Sequence, residues 1–107
     1  MTDILKIMQQ ASQMQTRLQE IQDELERATV TGVAGGGMVT IEANGKGAVK
    51  RVRIDPSVVN PGDVEMLEDL VSVAVGDAQR KAAELAQGEM QKMTGGLNLP
   101  FPFKLPV

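Results

Sequence analysis

Between Val30 and Ile54 apolar and polar residues alternate in short runs. Val39 and Ile41 are interleaved with Thr40 and Glu42, and Val52 and Ile54 with Arg51 and Arg53. A period of two marks a strand with one buried and one wet face. The pattern predicts three short strands, over residues 28–33, 38–43 and 48–54. Asn44-Gly45 separates the last two, a dipeptide that tolerates the positive φ of a tight hairpin. A four-residue loop over 44–47 sets Val39 opposite Val52 and Thr40 opposite Arg51. A two-residue loop would set Val39 against Lys50, so the pattern favours the longer one. Arg51 and Arg53 then share the wet face with Thr40, and a small antiparallel sheet with one basic face forms the centre.

A helix is predicted on each side of this sheet. From Ile4 to Ala28 the apolar positions are Ile4, Ile7, Ala11, Met14, Leu18, Ile21, Leu25 and Ala28, a heptad spacing. Thr2 or Asp3 can cap its start. So narrow a stripe calls for another helix, whereas a broad globular core recruits a wider face. A long amphipathic helix on its own core is the plainer alternative. Downstream, Asp55-Pro56 ends the sheet, because proline cannot donate to the ladder. Residues 57–60 allow one short turn, and Asp63 caps a second helix from Val64 to about Met93. Leu67, Leu70, Val71, Ala74, Ala78, Ala82, Leu85, Ala86 and Met93 recur there at three- and four-residue steps. Gly95-Gly96 closes the helix. Residues 97–107 mix Pro100, Pro102 and Pro106 with leucine and phenylalanine, which predicts an extended tail, either laid on another surface or frayed.

Lengths add a constraint. At 1.5 Å per residue the helices span about 37 Å and about 45 Å, against a diameter on the order of 33 Å for a compact chain of this size. Both should protrude, and their apolar stripes must be covered by each other or by a second copy. A symmetric dimer is the economical solution. The candidate packing and dimer residues are Ile7, Met14, Leu18, Ile21 and Leu25 on the first helix, and Val39, Ile41, Val52 and Ile54 in the sheet. Leu70, Ala74 and Ala78 join them from the second helix.

Composition narrows the class. The 107 residues suffice for a single domain, 1–107, and 42% hydrophobic content can fill a core. With no cysteine there is neither a disulfide framework nor a thiolate metal site, which suits a reducing cytoplasm. The N-terminus lacks a basic start followed by an apolar block, and no apolar run approaches the roughly 20 residues that span a bilayer. A soluble intracellular protein without a membrane partner is expected. The net charge of −3 divides unevenly. Residues 1–27 hold three basic and five acidic groups, residues 28–54 four against one, and residues 55–107 four against eight. The sheet is positive between acidic helices, and over a screening length of about 10 Å the local field matters more than the total.

Catalysis lacks its parts. There is no histidine, cysteine, tyrosine or tryptophan, Ser12 and Ser72 fall in helices, and Ser57 follows a proline with no base in sight. Glu68 and Asp69 read as a solvated helix flank, so no metal or cofactor is expected. Gly32 and Gly35 to Gly37 fail as a phosphate loop, because they lead into a strand rather than into Gly-Lys-Ser/Thr and a helix. The run Lys50, Arg51, Val52, Arg53 fits either an ordinary solvated strand or phosphate contact, and the residues alone weigh the two equally.

The set as a whole resembles a known family. It comprises the Gln- and Met-rich first helix, Val30-Thr31-Gly32 followed by Gly35-Gly36-Gly37, Val39 and Ile41 leading into Asn44-Gly45-Lys46-Gly47, then Val52 and Ile54-Asp55-Pro56. Met66-Leu67-Glu68-Asp69-Leu70, Ala74 with Asp77-Ala78, and Gly95-Gly96-Leu97-Asn98-Leu99-Pro100 complete it. In this order they resemble the YbaB/EbfC family of bacterial nucleoid-associated proteins. The resemblance implies an α+β fold with an α-β-β-β-α protomer and a tweezer-like homodimer with projecting helical arms. It further implies a cytoplasmic, nucleoid-associated, duplex-DNA-binding role in nucleoid organisation or gene regulation. Residues 101–107 carry no family meaning, and arm contacts do not transfer residue by residue. Candidate DNA-binding residues are Lys46, Lys50, Arg51 and Arg53, aided by Arg17, Arg80 and Lys81. Such contacts position a protein on DNA without selecting sequence. Four phosphate contacts per protomer would give a log–log salt slope near −7. The competing expectation is a protein-interaction module whose acidic arms grip a protein partner, its DNA affinity incidental.

Overall fold

The computed structural model describes residues 2–95. They run α1 (Thr2–Arg27), β1 (Val30–Ala34), β2 (Val39–Ala43), β3 (Val49–Ile54) and α2 (Val64–Gly95), with single 3-10 turns at Gly35–Gly37 and Pro56–Val58. This is the expected α-β-β-β-α order in an α+β fold, with boundaries moved by one or two residues. Gly96 and the predicted tail over 97–107 lie outside the described residues. Asp63 caps α2 as anticipated, its Oδ1 accepting the Met66 N–H at 3.2 Å. Asp55 accepts the Ser57 N–H at 2.9 Å, which holds the turn after the sheet and lowers the Asp55 pKa.

The three strands form one antiparallel sheet in the order β1-β2-β3. Its β2–β3 register corrects the expectation by two residues: Val39 lies opposite Ile54 rather than Val52, and Thr40 opposite Arg53 rather than Arg51. The loop is longer than predicted for a definable reason. Asn44 Oδ1 accepts both the Lys46 and Ala48 N–H groups, at 2.9 and 3.0 Å, so Ala48 belongs to the turn and Val49 faces Ala43. An irregularity between Glu42 and Ala43 then takes up Lys50 as an extra residue. Two single-residue shifts add to one full period of the strand, so Arg51 to Ile54 keep their predicted faces, while Val49, past only the first shift, turns to the Ala43 side.

Val39, Ile41 and Ala43 of β2 are buried with Ala34 against Ala74 and Ala78 of α2. Leu67, Leu70, Val71 and Val75 pack round this centre. The helix comes this close because Gly32 has no side chain: a Cβ there would lie 2.2 Å from the Ala74 carbonyl oxygen and 2.3 Å from the Ala78 nitrogen. α2 packs across β1 and β2. Val52 and Ile54 point to the same side of the sheet yet stay 48% and 38% exposed. The expectation of a buried apolar face therefore fails for β3, which lies beyond the helix.

Past Ala78, α2 leaves the sheet and runs antiparallel to α1. Leu25 shares a groove with Ala82 and Ala86, and Ile7, Ala11 and Met14 share another with Met93. The seam predicted for α1 thus meets a helix of its own chain. Ile21 and Leu25 are buried and Leu18 half-buried, but Met14 is exposed and Ile7 is 62% exposed. The Gly45 N–H donates to the Leu25 carbonyl at 2.7 Å, satisfying one of the free carbonyls at the end of α1 and anchoring it to the hairpin loop. The arm carries the longest dimension to 73 Å and the radius of gyration to 19.7 Å, against about 13 Å for a compact chain of this length.

Gly32→Ala should lower unfolding stability by about 3 kcal/mol, the upper part of the overpacking range, because helix backbone must move. Gly76→Ala, where a Cβ meets nothing within 4 Å, should raise stability by about 0.5–1 kcal/mol. Denaturant midpoints of the two variants check the pair, and equal effects would contradict the packing described.

Candidate nucleic-acid interface

The free edge of the sheet is β3, all six of whose residues are exposed. Alternation sends Val52 and Ile54 to the α2 side, so Arg51 and Arg53 stand on the opposite face, across from Glu42 and Thr40. Lys46 sits in the neighbouring loop. Among the described residues these three cations have neither an ion pair nor a side-chain hydrogen-bond partner.

The other four candidates are engaged within the chain. Lys50 Nζ donates to the Ala28 carbonyl and to Thr29 Oγ1, both at 3.0 Å, and ties β3 to the junction of α1 and β1. Arg17 pairs with Glu20 at 3.2 Å and Glu24 at 3.7 Å along α1. Arg80 pairs with Asp77 at 2.6 Å and Glu84 at 3.0 Å. Lys81 reaches Asp77 at 3.1 Å and the Thr31 carbonyl at 2.8 Å. The seven therefore do not form one surface. Lys46, Arg51 and Arg53 are free, and the three arm candidates, Arg17, Arg80 and Lys81, are locally neutralised.

Asp77 is the residue that sequence reasoning missed. Its carboxylate is 18% exposed and accepts the Val33 N–H at 3.0 Å in addition to Arg80 and Lys81. That N–H bond, followed by the Arg80 and Lys81 hydrogen bonds, lowers its pKa to about 2. Arg80 is raised in turn, chiefly by its bond to Asp77. The Val33 N–H and Thr31 carbonyl lie on the edge of β1 that has no neighbouring strand. Asp77 and Lys81 seal that edge, while β3 remains open. The available signal was the spacing: a carboxylate three and four residues before two cations on one helix.

Two guanidinium forks on alternate strand residues and one lysine suit phosphate oxygens, which a guanidinium binds bidentately. Among the described residues no group of three His, Cys, Asp or Glu could hold a metal ion. Among the same residues no helix is long and apolar enough to cross a membrane. Fold and site together define a small α+β protein that presents positive charge on an open strand and carries a helical arm.

Comparison with known proteins places that class. A sequence profile of the YbaB/EbfC DNA-binding family matches residues 1–97. A nucleoid-associated protein of Gemmatimonas aurantiaca is 53% identical over 104 residues, covering 97% of this chain and 98% of its own. Another, of Granulibacter bethesdensis, is 50% identical over 106 residues, 99% of each chain. An uncharacterized Helicobacter pylori protein of known structure superposes with a TM-score of 0.74 at 22% identity, over 83% of this chain and 94% of its own. That likeness speaks for the fold. The chain belongs to the YbaB/EbfC DNA-binding family.

The Asp77 contacts carry a pH signature. A carboxyl whose pKa is depressed by folding contributes stability above its unfolded value, about 3.9, and loses it as pH falls toward the folded value. With the folded value at about 2, Asp77→Asn should cost most near pH 7, and its deficit should shrink between about pH 4 and pH 2. Denaturant midpoints of both proteins across that range measure the difference. A deficit constant over pH would contradict the role given to the charge.

Proposed function

We propose that this protein binds duplex DNA as a homodimer, mainly through phosphate contacts, and acts in the bacterial nucleoid in organising DNA or regulating genes. The observation that carries the reading is the set of uncommitted cations, Lys46, Arg51 and Arg53, on and beside the one open strand of an acidic protein. Family membership supports DNA as the polyanion. The printed names of the relatives support the nucleoid as its place.

A second copy is supported by what α2 leaves uncovered. Val52 and Ile54 are exposed on the helix side of β3, beside Val49 at 45%. A three-stranded sheet with one strand bare on its apolar side is short of burial. Association over this strip gathers six free cations, three from each chain, while keeping the arginines on the opposite face. Arg51 and Arg53 bind phosphate oxygens by paired N–H donors, and Lys46 adds a point charge. These contacts carry no sequence readout of their own.

Six phosphate contacts give a log–log salt slope of about −5 for B-DNA, shallower than the value near −7 that eight would give. Titration of unrelated duplexes by fluorescence anisotropy at several salt concentrations measures it. Arg51→Glu/Arg53→Glu should lose at least about tenfold in affinity, since each protomer trades two attractive contacts for repulsive ones. Unchanged binding by that variant would sink the assignment.

Val52→Asp/Ile54→Asp should convert a stable two-chain species at micromolar concentration into single chains, read by light scattering. Wild-type protein already at single-chain mass, with a melting temperature indifferent to dilution, would contradict the dimer.

A further inference from the structure

The tip of α1 is the largest feature without a role so far. Ile4, Leu5, Ile7 and Met8 are each more than 60% exposed. Ile7 lines the groove that Met93 of α2 shares with Ala11 and Met14, and Ile4, Leu5 and Met8 surround it in the first two turns of α1. Four large apolar side chains on one helical end are an adhesive surface in water. The charge sites described above make no use of it.

Residues 96–107 follow α2 in sequence, starting three positions after Met93 of this groove. Leu97, Leu99, Phe101, Phe103 and Leu105 occupy every second position, with Asn98, Pro100, Pro102, Lys104 and Pro106 between them. In an extended chain that spacing puts the apolar side chains along one side. The prolines bar a helical continuation and lower the entropy lost when the segment is ordered. Both phenylalanines of the protein are here. Twelve extended residues reach about 40 Å, whereas Met14 to Ile4 along α1 is only about 15 Å. The tether also favours this segment over any free partner. A short flexible link gives an effective concentration in the millimolar range, far above micromolar protein.

We propose that residues 97–107 lie along the apolar tip of α1 of the same chain, with Leu97, Leu99, Phe101 and Phe103 covering Ile4, Ile7, Met8 and Met14. The occupant is this chain's own segment, and the arm is then an autonomous unit with a third element. Its tip is closed to other arms, and association is left to β3. The proposal is independent of DNA binding.

The cysteine-free sequence makes the test direct. Ile7→Cys/Phe101→Cys, oxidised at micromolar concentration, should form a disulfide within one chain. On a non-reducing denaturing gel it keeps the single-chain mass at every dilution. Gln9→Cys/Phe101→Cys, on the opposite face of α1, should cross-link far less. A two-chain product from the first pair would show the tail on another copy and overturn the proposal. In the full-length chain, Phe101→Ser/Phe103→Ser should lose hydrogen-exchange protection at residues 4–14 while β2 amides keep theirs, which shows the fold intact. No cross-link together with unchanged exchange at the tip would also overturn it.

Discussion

The approach of α2 to β1 at Gly32 governs the rest of the molecule. There a helix backbone touches a strand backbone, with the Ala74 carbonyl and Ala78 nitrogen occupying space that a side chain would need. The contact fixes where α2 crosses the sheet, over β1 and β2, with Ala74 and Ala78 buried against Val39 and Ile41. One turn away it brings Asp77 and Lys81 within hydrogen-bond reach of the outer edge of β1. A helix held over one side of a three-stranded sheet cannot also cover the other side. The exposure of β3 and the sealing of β1 therefore have one cause.

That geometry also sorts the charges. The protein is acidic overall, so a surface that attracts an anion must come from unequal neutralisation. On the arm, Arg17 and Arg80 stand one turn from glutamates, and Arg80 and Lys81 share Asp77. Ion pairs at the surface add little to stability, but they cancel the local field of their cations. On β3 the only carboxylate directly across the ladder is Glu42, opposite Arg51, and it forms no ion pair with it. Positive potential survives where the chain places no counter-ion, and in this sheet that is the open strand.

Much of the fold was legible because its elements are periodic. The alternation round Val39 and Ile41, the heptad of α1 and the three- and four-residue steps of α2 each name an element and its inner face. The β2–β3 register was not legible, since it turns on the Asn44 side chain bonding two loop amides and on Lys50 bulging out of the ladder. Hydrophobic pattern reports parity, and a shift of two leaves parity unchanged. The burial of Val52 was misjudged for a related reason: periodicity says which way a side chain points and nothing about what lies there. Of the candidate cations, the pairing of Arg80 and Lys81 with Asp77 could have been read from spacing. That of Lys50 could not, because its acceptors at Ala28 and Thr29 are some twenty residues away and one is backbone.

The unequal edges also bear on how copies of such a protein can associate. A sheet with two bare edges can grow head to tail without end, each copy offering a strand to the next. Asp77 and Lys81 occupy the outward N–H and carbonyl of β1, so that edge has no free partners at Val33 and Thr31 to offer. Only the β3 side remains, with its apolar strip of Val52 and Ile54. Two copies meeting through the same surface are related by a twofold axis and use up both surfaces at once. The proposed dimer is therefore finite by construction. A single buried glycine, by deciding which strand the helix covers, sets the strand on which positive charge is left free.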